Sequence, residues 1–213
     1  MEGVLAELDN IVKDFDVPVV DLIKTQGADP FKILITTILS SRTKDGTTAK
    51  AAQRLFDKAT SFDDLRKLSE DELKELIFPV GFYKTKAKNI KKIPDFIDEE
   101  FSGKIPEEVD NLVSLPGVGR KTANLVSAIA FGKDAICVDT HVHRICNRLG
   151  FISTSDPFET EMTLRERLPK RYWKMINRVL VAFGQNTCVP SSPFCSSCPI
   201  SDRCEMVGVK RQR

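Results

Sequence analysis

Two groups of residues in this 213-residue chain have the types and spacing to do chemistry. The first is the run Leu-Pro-Gly-Val-Gly-Arg-Lys-Thr-Ala-Asn at 115–124. Gly117 and Gly119 permit positive φ and leave the backbone bare, so another molecule can come close to it. An apolar helix follows, and its first turn carries Arg120 and Lys121. The first N–H groups of such a helix have no partner within it, and with the helix dipole they form an anion site. The same dipole disfavours cations there, so two in succession call for a reason. A phosphate-cradling P-loop needs Gly-Lys-Ser/Thr after a strand, whereas here Arg120 intervenes and helices flank the turn. A polynucleotide phosphate needs only N–H groups and a cation, and suits Gly117, Val118, Gly119 and Arg120 better. Lys121 asks for more. A lysine near a helix N-terminus and a second cation, if partly desolvated, has its ammonium form disfavoured and becomes a better nucleophile. The plain alternative is an ordinary turn between helices with a surface lysine beside it.

Asp139, in Val-Asp-Thr-His-Val-His, suits a helix N-cap, the default role for an aspartate there. A carboxylate near a reactive lysine could also stabilise a developing cation or handle protons. His141 and His143 are the only histidines and make a poor metal site without partners, so they read as structural polar residues.

The second group is Cys188, Cys195, Cys198 and Cys204, spaced Cys-x6-Cys-x2-Cys-x5-Cys. Four such thiolates can bind Zn²⁺ or an iron–sulfur cube. Zinc ribbons usually present two Cys-x2-Cys grips, and the single close pair here leans towards the cluster. Cys137 and Cys146 stand apart and read as small core residues.

These groups must be held by helices. Apolar residues recur three and four apart over 3–15, 72–78 and 109–115, while 29–39 is apolar on nearly all sides, as a central helix should be. Asp45 precedes one helix, Ser69 with Glu72 marks a capping box, and Pro106 opens the helix that Pro116 stops. No run alternates long enough to argue for a sheet, so the expected fold class is all-α. Helical patterning stops at 186–204, and 210–213 reads as a short basic, disordered tail.

Charge does not single out a partner: the net value is +2, with 41% hydrophobic and 29% charged residues, as in an ordinary globular protein. Basic residues do cluster at 81–92, with five lysines and no acid, although a solvated helix face is the default reading. The N-terminus lacks the pattern of a signal peptide and the longest apolar run is too short to cross a bilayer, which predicts an intracellular protein. Clustered cysteines then suggest metal before disulfides.

With hairpin, lysine, aspartate and cysteines in place, the chain resembles the endonuclease III family of DNA repair glycosylases. The likeness runs through 38–45, 81–90, 115–124, 138–148 and the cysteine loop, in the family's order. The resemblance implies two helical domains with a DNA-binding cleft between them. Residues 21–133 would form a helical barrel holding a helix-hairpin-helix at 106–131, and 1–20 plus 134–213 a domain with a [4Fe-4S] cluster loop. It implies removal of oxidised pyrimidines from duplex DNA and cleavage of the abasic site, with Lys121 as nucleophile, Asp139 as its catalytic partner and the four late cysteines as cluster ligands. A monomer working in the cytoplasm or nucleoid is expected. Where bacterial members carry Gln to fill the gap left by a flipped base, this chain has Arg42, which could fill it and bond the opposite guanine. The loop 189–194 has no Lys or Arg, so DNA contacts there would shift to Lys84 and Lys86 or to the basic tail. Two other readings stay open: a mismatch-specific glycosylase of the same fold without lyase activity, and a non-catalytic helix-hairpin-helix module.

Overall fold

A computed structural model describes residues 1–14 and 29–213 of the chain. Every regular element among them is helical, as the periodicity predicts. The chain divides into two compact units, one made of the N-terminal helix with Ile136–Arg213, the other of the residues up to Ala135. The boundary expected near residue 20 lies outside the described residues.

In the second unit the helix Pro30–Ser40 (α1) is central because Phe31, Ile33, Leu34, Ile35, Ile38 and Leu39 are all buried. Asp29 caps it, accepting from the Phe31 N–H at 2.9 Å, and Pro30 sits at its first position, where no N–H is needed. Around it pack Asp45–Phe56 (α2), Phe62–Lys67 (α3), Glu70–Ile77 (α4), Tyr83–Phe101 (α5), Val109–Val113 (α6) and Arg120–Ala130 (α7). The capping box at Ser69 and Glu72 forms as expected, each side chain bonding the other's backbone N–H. Two starts differ from the sequence reading. Lys44 is the cap of α2, and Asp45 is its first residue, where the carboxylate meets the positive end of the dipole. Helix α6 opens after Glu108 rather than at Pro106. The segment ahead of it is held to the far end of the hairpin instead: the Glu107 carbonyl accepts from Ser127 Oγ at 2.8 Å, and its carboxylate pairs with Lys133 at 2.9 Å.

In the first unit Glu2–Ile11 (α8) lies with Thr140–Arg148 (α9), Pro157–Arg167 (α10) and Trp173–Asn186 (α11) around a core of Leu5, Leu8, Ile145, Ile176, Leu180 and Phe183. Ion pairs Glu2–Arg171, Glu7–Arg203 and Asp9–Arg178 tie α8 to the distant part of the chain.

Candidate active site

The hairpin is built as a helix, a turn and a helix. Ser114 closes α6 two residues before Pro116, because the residue ahead of a proline is pushed out of helical geometry. Gly117 then takes φ +79°, and a Cβ there would lie 2.6 Å from Asn89 Nδ2 on α5. Both the conformation and the contact demand glycine. Gly119 differs from the expectation. Its φ is −89°, so positive φ is not its purpose; it is the N-cap of α7, carries no capping side chain, and faces open space where a Cβ would be. A bare cap leaves the helix N-terminus approachable, the property an anion site requires.

Val118 is corrected. Its side chain is buried in the core, and its N–H is used inside the turn, donating to the Leu115 carbonyl at 3.0 Å. It has nothing left to give a phosphate. Arg120 pairs with Asp110 on α6 at 3.0 Å, which braces the hairpin. Lys121, in the first turn of α7, is exposed.

Asp139 caps α9 through one oxygen: Oδ1 accepts from the N–H groups of His141 at 2.9 Å and Val142 at 3.0 Å. Its orientation is thus fixed by backbone. Both histidines have polar partners, His143 Nδ1 at 2.7 Å from Thr160 Oγ1 and His141 Nδ1 at 3.1 Å from Arg144 Nη2. Lys121 belongs to the second unit and Asp139 to the first.

Arg42 is exposed, has φ +52°, and places its guanidinium 5.5 Å from the centre of the Phe82 ring. Phe82 is itself 63% exposed, and nothing in the residue pattern separates it from the helix it precedes; the sequence reading missed it. Lys84 is exposed as well. Lys86 is not available to DNA and is a second correction: it is buried, and Nζ donates to Leu39 O at 2.8 Å, Ser41 O at 2.6 Å and Thr43 Oγ1 at 3.3 Å.

The four late cysteines line one cavity with Ile145 and Phe183, and all are free thiols. Burial pushes the thiols of Cys195, Cys198 and Cys204 up, so each needs a positive partner to ionise. Arg148 supplies one cation at the rim, with Nη1 3.4 Å from Cys188 Sγ and 2.8 Å from the Val189 carbonyl. Among the described residues no three His, Cys, Asp or Glu side chains converge closely enough for a single ion. Four thiols around a cavity, not around a point, suit a polyatomic group better than Zn²⁺, whose sulfur ligands sit at about 2.3 Å. The basic tail is ordered onto this loop, contrary to the sequence reading. The Arg213 N–H donates to Pro193 O at 2.7 Å, its Nε to Ser192 O at 3.0 Å, and its guanidinium lies 4.3 Å from the Phe194 ring centre.

A helical protein with an approachable glycine-capped hairpin and a four-thiol cavity falls in a known class: residues 35–170 match the family model described as HhH-GPD superfamily base excision DNA repair protein. Endonuclease III of Thermotoga maritima is 44% identical over 177 residues, 83% of each chain. Among solved structures, a trapped endonuclease III–DNA covalent intermediate superposes with a TM-score of 0.83 at 36% identity, over 95% of this chain and 92% of that one. A thermostable thymine-DNA glycosylase gives 0.75 at 29%, over 84% of both chains. The chain belongs to the endonuclease III family.

Proposed function

We propose that the protein is a bifunctional DNA glycosylase that removes oxidised pyrimidines from duplex DNA and cleaves the resulting abasic site. The observation that carries this reading is the exposed lysine in the first turn of α7, behind a cap with no side chain. The damaged nucleotide leaves the base stack, at an unstacking cost of about a few kcal/mol, and its C1′ is brought to Lys121. Bound DNA excludes water from Lys121, which favours the neutral amine. The neutral amine attacks C1′; the C1′–N bond breaks, and the base departs with the electron pair and a proton. Ring opening leaves an iminium on Lys121. Loss of the C2′ proton then expels the 3′ phosphate, and water releases the lysine. Asp139, held by its cap bonds, stabilises the cationic sugar and assists proton transfer.

The N-terminus of α7, with Gly119 and Arg120, holds a backbone phosphate, while Arg42 fills the gap left by the extruded base and Lys84 adds charge. Cys188, Cys195, Cys198 and Cys204 are the residues that would hold a [4Fe-4S] cluster, which when bound joins separated parts of the loop and contributes folding free energy. No helix among the described residues is long and apolar enough to cross a membrane. We place the protein with the chromosome, in the cytoplasm or nucleoid, as a monomer.

Borohydride trapping on a duplex with one abasic site tests the mechanism. A covalent protein–DNA adduct is expected with the unaltered protein and none with Lys121→Gln. Binding without an adduct would overturn the lyase reading. It would favour the monofunctional mismatch glycosylase, to which Arg42 opposite guanine and the likeness to a thymine-DNA glycosylase also point.

A further inference from the structure

The residues that follow α1 are held in an unfavourable shape. Arg42 adopts a left-handed conformation, φ +52°, which a side chain with a Cβ rarely takes unless its surroundings impose it. Two contacts impose it. On one side, Gly81 donates its N–H to Thr43 Oγ1 at 3.1 Å, and a Cβ on Gly81 would lie 2.4 Å from the Arg42 carbonyl oxygen. On the other is Lys86, only 8% exposed, whose three ammonium protons meet three acceptors at Leu39, Ser41 and Thr43. The first two are carbonyls at the C-terminal end of α1, where the helix dipole favours a cation. The three acceptors are two carbonyls and a hydroxyl, and among the described residues no carboxylate bonds this ammonium. Burial also lowers the lysine to about 8, a strain that an apolar filler of the same length would not carry.

We propose that Lys86 is a positioning residue, fixing residues 41–43 so that Arg42 is presented to DNA in one conformation. It touches no DNA and acts through Arg42. The proposal rests on the reading that Arg42 contacts DNA, and its test separates the two.

The affinity of the full chain for a duplex bearing a tetrahydrofuran abasic analogue would be measured at fixed salt for the unaltered protein, Lys86→Met, Arg42→Ala and the double variant. Methionine keeps the buried length and removes the donors. The expected loss for Lys86→Met is about tenfold with Arg42 present and under about twofold with alanine there, the non-additivity of residues acting in series. Amide exchange at 41–43 is expected to quicken in Lys86→Met while that of α5 stays slow. Equal loss in both backgrounds would overturn the positioning role and leave Lys86 a general support of the fold. Unaltered affinity of Arg42→Ala would overturn the Arg42 reading, and this proposal with it. Should Lys86→Met fold poorly, Thr43→Val removes only the shared hydroxyl and is expected to weaken binding in the same Arg42-dependent way.

Discussion

Under the proposed mechanism Asp139 serves structure and chemistry with the same side chain. Its Oδ1 satisfies two N–H groups of α9, and its carboxylate is the group that the proposed mechanism uses. The two uses come apart on substitution. Asp139→Asn keeps an accepting oxygen at the cap and loses the charge, so stability should change by under about 0.5 kcal/mol. Base release should fall by about 10²- to 10⁴-fold. Asp139→Ala should lose activity to a similar degree and a further ~1 kcal/mol of stability, read from urea melts. The cap at Asp139 and the place of Lys121 in the first turn of its helix were legible because their signals are local. Val118 and Lys86 were not. The sequence offers a backbone N–H and an ammonium, but says nothing of where each is used, and the acceptors of Lys86 lie 43, 45 and 47 positions away. Cys146 is the opposite case, a lone thiol correctly read as core. Burial pushes it up to about 12, which keeps it protonated and unreactive.

Helix α5 explains why Lys86, in the basic run at 81–92, was misread as a DNA contact. Lys86 reaches the end of α1, and Lys91 donates to Arg66 O at 2.7 Å and Leu68 O at 2.5 Å, at the end of α3. Likewise Arg54 of α2 bonds Leu76 O at 2.8 Å, near the end of α4. Cations from one helix finish the carbonyls of another, a tertiary form of C-capping that no window of sequence displays. At the N-termini the side-chain caps are local, the box of Ser69 and Glu72 was readable, and such caps give this unit an acid-sensitive component. Asp64 is held well below its usual range by Lys67, the Thr60 N–H and Ser61, and Glu72 is lowered by the Ser69 N–H and hydroxyl. In the other unit Glu159 is lowered by the N–H and hydroxyl of Ser155. A carboxylate whose folded pKa is depressed binds protons less readily in the folded state than in the unfolded one. Its contribution is therefore complete above an unfolded value of about 4 and is lost as pH falls through the folded one. Urea midpoints should be flat near neutrality and fall below about pH 4, and Glu72→Gln should remove part of that fall.

At the scale of the molecule, all-helical architecture follows from periodicity that the sequence carries openly, and so does the cysteine spacing. The ordering of residues 210–213 does not. A basic, hydrophilic end has no local reason to bind, and its partners Ser192, Pro193 and Phe194 belong to a loop that itself shows no pattern. The loop that lacks basic residues in sequence has one in space. Cys198→Ser should yield protein that lacks iron and the visible absorbance of a cluster, folds poorly and loses duplex binding. A well-folded variant without iron that still binds DNA would show that the thiols are dispensable to the architecture.

Helix α8 leaves the ribosome well before its ion partners Arg171, Arg178 and Arg203, which lie 169 to 196 positions further along. The unit that ends at Ala135 can complete its core while synthesis continues, but α8 keeps Leu5 and Leu8 without their partners until α11 emerges. At elongation rates of about 5–20 residues per second, that wait lasts on the order of ten seconds, during which an apolar face stands open to chaperones or to other nascent chains. Closing the unit is then a long-range event of high contact order, slower than the local helix pairings before it. Dividing one unit between two distant segments makes its closure wait until α11 and the cysteine-bearing loop have emerged.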